Sequence, residues 1–190
     1  MVWLAASTHP GEEQFILDVH HIIKKVQPNI LTIIIPRHID RINKIYSLIN
    51  QKKINVQIIN DHELIKPNVE VALINSFGEL TKYYANCGSV LIGKSLSKDL
   101  KLVGGQNPLE AASFGCKIYH GPYVYNFQEI YNYLMINKIS TQVNSSTELA
   151  NNLLTDFSKN NIRDKTLIEK IDKYGKDIFE QTVKEINMSI

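Results

Sequence analysis

The run from Asn29 to Ile35 is the strongest constraint on the fold. A continuous apolar, β-branched run is the mark of a strand buried on both faces, so it needs helices above and below it. Those helices are legible on either side. From Gly11 to Val26, the residues Phe15, Val19, Ile22, Ile23 and Val26 recur at helical spacing; Ile42, Ile45, Leu48 and Ile49 do so from Asp40 to Gln51. Further strands are predicted at Val2–Ala6, Ile54–Ile59, Val69–Ile74, Ser89–Ile92, Lys117–His120 and Ser140–Val143. Helices are predicted from Ser76 to Asn86, Asn107 to Gly115, Asn126 to Asn137 and Thr147 to Phe157. Alternation with short loops predicts an α/β fold: a parallel sheet with helices on both faces. Ser7 to Glu13 reads as a polar loop after the first strand.

The chain has 190 residues, enough for one domain with a substantial core. The domain is predicted over residues 1–158. The polar break Ser158-Lys159-Asn160-Asn161 separates it from a helical extension over 159–190. In that extension Leu167, Ile171, Tyr174, Ile178 and Thr182 line one stripe, with Ile168, Phe179, Val183 and Ile186 beside it. Such a stripe must be covered. A net charge of +2 gives no sign of nucleic-acid binding. No apolar run reaches membrane-span length. Cys87 and Cys116 have neither metal-ligand spacing nor a disulfide-rich context, and read as buried thiols. The chain opens directly on a core strand, which is expected of the later part of something longer.

Chemistry is expected at one address. Ser7-Thr8-His9, Pro36-Arg37-His38, Asn75-Ser76-Phe77-Gly78, Gly93-Lys94-Ser95 and Gly121-Pro122 each follow the carboxyl end of a predicted strand. Ligands of open parallel sheets bind at that edge. Gly104-Gly105-Gln106-Asn107-Pro108-Leu109-Glu110 lies there too. Two glycines allow close approach to a ligand; Asn107 suits an N-cap and Pro108 the first helical position. A helix start offers free N–H groups to an anion. Alternatively, Asn107 and Glu110 form only a capping box, with Glu110 reaching back to the Asn107 N–H.

The dinucleotide fingerprint after the first strand and the Walker loop are both absent, which argues against a dehydrogenase and a P-loop ATPase. A nucleotide-sugar fits better: Glu110 for ribose hydroxyls, Arg37 for a phosphate or sugar carboxylate, and helix starts at Gly78 and Asn107 for a departing phosphate. Several residues have plainer readings. His9 and His38 bond loop backbone. Glu12 and Glu13 favour a helix dipole. Tyr123, Tyr125, Tyr131 and Tyr133 pack rather than stack on a ligand. Adjacent His20 and His21 face different ways and make a poor metal pair.

Taken in order, Ser7-Thr8-His9-Pro10-Gly11-Glu12-Glu13, Pro36-Arg37-His38, Gly78-Glu79-Leu80, the Gly104–Glu110 stretch and Gly121-Pro122-Tyr123-Val124-Tyr125-Asn126-Phe127 resemble the C-terminal half of the lipid A Kdo (3-deoxy-D-manno-octulosonic acid) transferases. The resemblance runs from about Val2 to Phe157. It implies a Rossmann-like domain of a GT-B glycosyltransferase, with CMP-Kdo as donor and no cofactor or metal. The lipid A precursor acceptor and the catalytic carboxylate belong to an N-terminal half absent from these residues. The resemblance also implies association with the cytoplasmic side of the inner membrane. It assigns Arg37, Gly78, Gly104, Gly105, Asn107 and Glu110 to the donor site, with Ser7, His9 and His38 close by. The chain departs from the family in three places: Gln106 where His is common before Asn-Pro-Leu-Glu, Lys94 where Gly-Gly-Ser-Leu is common, and Asn75 where an acid is usual. Two other readings fit the same residues: a different GT-B transferase or nucleotide-sugar epimerase, and a non-catalytic binding module.

Overall fold

The computed structural model describes residues 1–159 and 165–189. The chain runs β1 (Val2–Thr8), α1 (Glu12–Lys24), β2 (Leu31–Pro36), α2 (Ile42–Gln51), β3 (Val56–Ile59) and β4 (Val71–Ile74). It continues through α3 (Leu80–Tyr84), β5 (Ser89–Ile92), α4 (Leu109–Ser113), β6 (Lys117–His120), α5 (Gln128–Ile136), β7 (Ser140–Gln142), α6 (Ser146–Ser158) and α7 (Lys165–Ser189). All seven strands form one sheet in the order β3-β4-β2-β1-β5-β6-β7, and every pair is parallel. This is the expected Rossmann-like α/β fold.

The pleat sorts side chains onto two faces. Trp3 and Ala5 of β1 join a core with α1, α2 and α6, through Ile16, Ile45 and Leu149. Leu4 and Ala6 join the opposite core with α3, α4 and α5, through Tyr84, Ala111 and Leu134. Strands β2, β4 and β5 are apolar on both faces because both carry helices.

Buried polar groups lock the layers. Trp3 Nε1 donates to Thr32 Oγ1 at 2.8 Å, and that hydroxyl lies 2.9 Å from His20 Nδ1. The hydroxyls of Ser89 and Tyr119 both donate to Asp156 Oδ2, at 2.8 and 2.6 Å, tying α6 to β5 and β6. Ser145 caps α6 by accepting the Glu148 N–H, while Glu148 Oε2 accepts the Asn144 N–H. Cys87 and Cys116 are buried thiols, as expected.

Two expectations change. Ser7 and Thr8 belong to β1 rather than to a loop, because β1 extends past a bulge between Ala6 and Thr8 that keeps Thr8 paired with Pro36. Helices α3 and α4 are shorter than their sequence patterns, and Gly115 at φ +71° follows the end of α4. The polar break after Ser158 falls partly on Asn160 and Asn161, outside the described residues. In α7, Leu167 and Ile171 pack on the second core, and Tyr174 stacks on Tyr133 at 3.9 Å. Ile178, Phe179 and Val183 stay exposed; the side chains of Thr182 and Ile186 lie outside the described residues. Among the described residues no helix is long and apolar enough to cross a membrane.

His20 and His120 are buried, and each leaves Nε2 without a partner. Burial lowers both from 6.5 to about 4. As pH falls through 6.5 the unfolded chain takes up a proton on each, while the folded chain does not until about 4. The stability present above 6.5 is therefore lost through this window, by up to about 3 kcal/mol for each histidine. Urea midpoints measured across that range should fall steeply for the wild type. His120→Phe should show a shallower fall, whatever its stability at neutrality.

Candidate functional site

In the sheet order, β1 lies between β2 and β5. The chain leaves β1 toward β2, and crosses to the other half only from β4 to β5. The β1/β5 junction is thus the topological switch point, and its carboxyl ends form the crevice where such sheets bind ligands.

Glu12 closes this junction. The side chain is 1 % exposed. Its Oε2 accepts the N–H groups of His9 at 2.9 Å and Lys94 at 2.8 Å; Oε1 accepts those of Ser95 at 2.8 Å and Leu96 at 3.0 Å. Four backbone donors thus converge on one carboxylate, three of them from the loop after β5. Glu13, also buried, accepts from Thr8 Oγ1 at 2.8 Å and from Arg41 Nη2 at 2.7 Å. Both carboxylates stand in the first turn of α1, where the helix-dipole reading put them, and these hydrogen bonds give each a second role. Each carboxylate ties the β1–α1 turn to a neighbouring connection, Glu12 toward β5 and Glu13 toward α2.

The loop held by Glu12 holds the others. Ser95 Oγ accepts the Gly121 N–H at 2.9 Å and donates to the Ile92 carbonyl at 2.8 Å. The Ser95 carbonyl accepts the Tyr123 N–H at 3.0 Å, and the Lys94 carbonyl accepts the Gly105 N–H at 2.6 Å. A Cβ on Gly121 would stand 2.1 Å from the Ser95 carbonyl oxygen, and one on Gly93 2.5 Å from that of Ser7. Both approaches are open only to glycine.

The predicted site residues divide into two groups across this junction. Ser7, Arg37 and Gly78 line one small cleft with Ser76, Phe77 and Glu79. Arg37 is exposed, and its guanidinium has no ion pair among the described residues. Glu79 Oε2 accepts from Ser76 Oγ at 3.0 Å, so these side chains pair with each other, and α3 begins at Leu80 rather than at Ser76. On the other side, the loop at Gly104 and Gly105 is buried beneath Tyr123 and Val124. Tyr131 donates to the Gln106 carbonyl at 3.0 Å, and its ring lies 4.3 Å from that of His120.

Asn107 Oδ1 accepts the Leu109 N–H at 3.0 Å, but α4 begins at Leu109 with Pro108 in the N-cap position, one residue later than expected. Glu110 does not complete a capping box. Its exposed carboxylate has no hydrogen bond among the described residues. His9 takes its plainer role, with Nδ1 3.0 Å from the Ser7 carbonyl; the exposed His38 ring meets it edge-on at 5.8 Å. Burial lowers the His9 pKa, and nearby Lys94 and His38 add to the shift, against the Ser7 carbonyl and Glu12.

Tyr131 and Tyr133 pack, while Tyr125 is exposed. Among the described residues no His, Cys, Asp or Glu group is placed to hold a metal. An open groove of about 480 Å³ lies at the opposite edge, beside Asn29, Asn68 and Glu70. It lacks the glycine loops and unpaired cation that converge on the carboxyl edge. Sequence reasoning missed the roles of Glu12 and Ser95. The available signal was a carboxylate pair immediately after a strand that ends at the sheet's carboxyl edge.

Comparison with known proteins gives a consistent family. The chain is 35% identical over 147 residues to the 3-deoxy-D-manno-octulosonic acid transferase of Haemophilus influenzae, covering 77% of this chain and 34% of that protein. It is 30% identical over 163 residues to the enzyme of the same name from Rickettsia bellii, covering 86% of this chain and 38% of that one. The chain thus spans little more than a third of the length of these relatives. In fold it matches the C-terminal CMP-Kdo binding domain of WaaA from Acinetobacter baumannii, with a TM-score of 0.78 at 23% identity, over 91% of this chain and 88% of that one. No protein-family model matches.

Glu12→Gln should lower stability by about 3 kcal/mol, because an amide nitrogen would face donors built for a carboxylate. Urea denaturation reads this directly. A variant as stable as the wild type would show that the loop N–H groups do not need the charge.

Proposed function

We propose that this chain, which resembles the C-terminal half of the Kdo transferases, is the donor-binding domain of a glycosyltransferase that passes Kdo from CMP-Kdo to a lipid A precursor. The observation that carries the proposal is at α4. Asn107 takes the Leu109 N–H, and the Glu110 carboxylate at the carboxyl edge of the sheet has no hydrogen bond among the described residues. A free carboxylate in a first helical turn, next to a buried glycine loop, suits ribose hydroxyls, which donate to it in pairs. Arg37, across the switch point, suits a phosphate or a sugar carboxylate, since its planar fork matches either group.

The chemistry assigned to these residues is binding, orientation and charge stabilisation. In the intact enzyme, a carboxylate outside these 190 residues deprotonates an acceptor hydroxyl. That oxygen attacks the anomeric carbon of Kdo, and the bond to the phosphate of CMP breaks. The leaving phosphate gains charge, and a cation and free N–H groups already in place stabilise it without reorganising. Residues 1–158 form the donor domain in this reading. The exposed Ile178, Phe179 and Val183 of α7 are the side that meets the acceptor half, which would work at the cytoplasmic face of the inner membrane.

Calorimetric titration with CMP, UMP and CMP-Kdo tests the reading. CMP should bind more tightly than UMP, and Glu110→Ala should cost about 1–3 kcal/mol of that binding. Arg37→Lys should weaken CMP-Kdo binding at an unchanged melting temperature, since a point charge replaces a planar fork. UMP or a UDP-sugar binding as tightly as CMP would instead favour another GT-B transferase or an epimerase.

The 190-residue chain by itself should bind CMP-Kdo without transferring Kdo. Transfer needs donor and acceptor held together, and that orientation contributes about 7–11 kcal/mol to catalysis. Transfer to a lipid A precursor by the purified chain, free of any host transferase, would overturn the domain assignment.

A further inference from the structure

Among the described residues, positive φ at non-glycine positions occurs at Ser7, Lys53, His62, Asn68, Lys94 and Lys138. Four have ordinary causes. Lys53 and Lys138 end α2 and α5 in the usual left-handed cap, and His62 and Asn68 sit in turns between β3 and β4. Ser7 and Lys94 do not end helices. They stand at the carboxyl ends of β1 and β5, on the two sides of the switch point. Strained backbone of this kind persists where surrounding contacts over-determine it, and it clusters at ligand sites.

Lys94 is the stronger of the two. Its φ is +60°, and its backbone is held from both sides: the N–H donates to Glu12 Oε2 at 2.8 Å, and the carbonyl accepts the Gly105 N–H at 2.6 Å. Glycine would adopt this conformation without strain, yet the position carries a long cation. The side chain is partly buried, and its ammonium has no hydrogen bond or ion pair among the described residues. It stands close enough to His9 to disfavour a proton there. Glu12, whose carboxylate accepts the Lys94 N–H, is already filled by four backbone N–H groups. A partly buried cation without a protein partner is costly unless a ligand supplies the counter-charge.

We propose that Lys94 binds an anionic oxygen of the ligand, a phosphate or a carboxylate, at the β1/β5 crevice, and that its left-handed backbone is the strain accepted for placing a cation there. For a nucleotide-sugar this deepens the reading above and rests on it. The presence of the anion seat does not depend on the nucleotide.

The test titrates the wild type, Lys94→Gly and Lys94→Arg with inorganic pyrophosphate, CMP and CMP-Kdo, alongside thermal melts. Lys94→Gly relieves the backbone, so it should melt no lower than the wild type while binding CMP about tenfold more weakly. Lys94→Arg should keep most of the affinity. A loss seen with CMP assigns the phosphate; a loss confined to CMP-Kdo assigns the sugar carboxylate; either supports the proposal. Equal affinities of Lys94→Gly and the wild type for all three probes overturn it. If the wild type binds neither nucleotide, the nucleotide-sugar reading fails. Pyrophosphate then decides on Lys94: binding lost in Lys94→Gly upholds the anion seat, and equal or no binding overturns it.

Discussion

The carboxyl edge of this sheet depends on one buried carboxylate. Where β1 and β5 end side by side, the chain leaves in two directions, and the three amides after Gly93 would point into the interior unpaired. Glu12 accepts all three, together with the N–H of His9 from its own turn. An unpaired buried amide costs about 1–3 kcal/mol, and a carboxylate buried alone costs more. Joined here, each removes the penalty of the other.

From that point the positions of the other loops follow. Ser95 presents its hydroxyl to Gly121 and its carbonyl to Tyr123, while Lys94 presents its carbonyl to Gly105. The loops after β5 and β6 and the loop before α4 therefore form one hydrogen-bonded unit. Glu13 and Arg41 do the corresponding work on the β2 side, where the Thr8 carbonyl also accepts from Arg41 Nη1 at 3.3 Å. The two halves of the edge differ in what they offer. One presents a free guanidinium over a small cleft, and the other a buried glycine loop and a free carboxylate. A ligand with anionic and hydroxyl groups at opposite ends suits that division.

Backbone strain and unpaired charge occur together at the junction. Elsewhere the chain mostly obeys local rules: α2, α4 and α5 are followed by left-handed residues, and strand faces sort into two cores. At Ser7 and Lys94 the backbone takes positive φ, and Lys94, Arg37 and Glu110 have no ion pair among the described residues. Local conflicts of this kind are expected where a fold serves a ligand rather than its own stability.

The sequence by itself determined the fold class, because doubly apolar strands such as Leu31–Pro36 have only one stable environment, between two helical layers. It also determined where chemistry belongs, because polar and glycine-rich motifs recur after the strands and not before them. The role of Glu12 could not be read from its neighbours. Three of its four partners lie more than eighty positions away in the chain, and all are backbone amides, which carry no residue signature. The same limit applied to Glu110, where a capping box and a free carboxylate share one local pattern and only the packed loop distinguishes them. Tertiary structure decided these points because a carboxylate's role depends on which donors reach it, and the order of the strands sets which donors do.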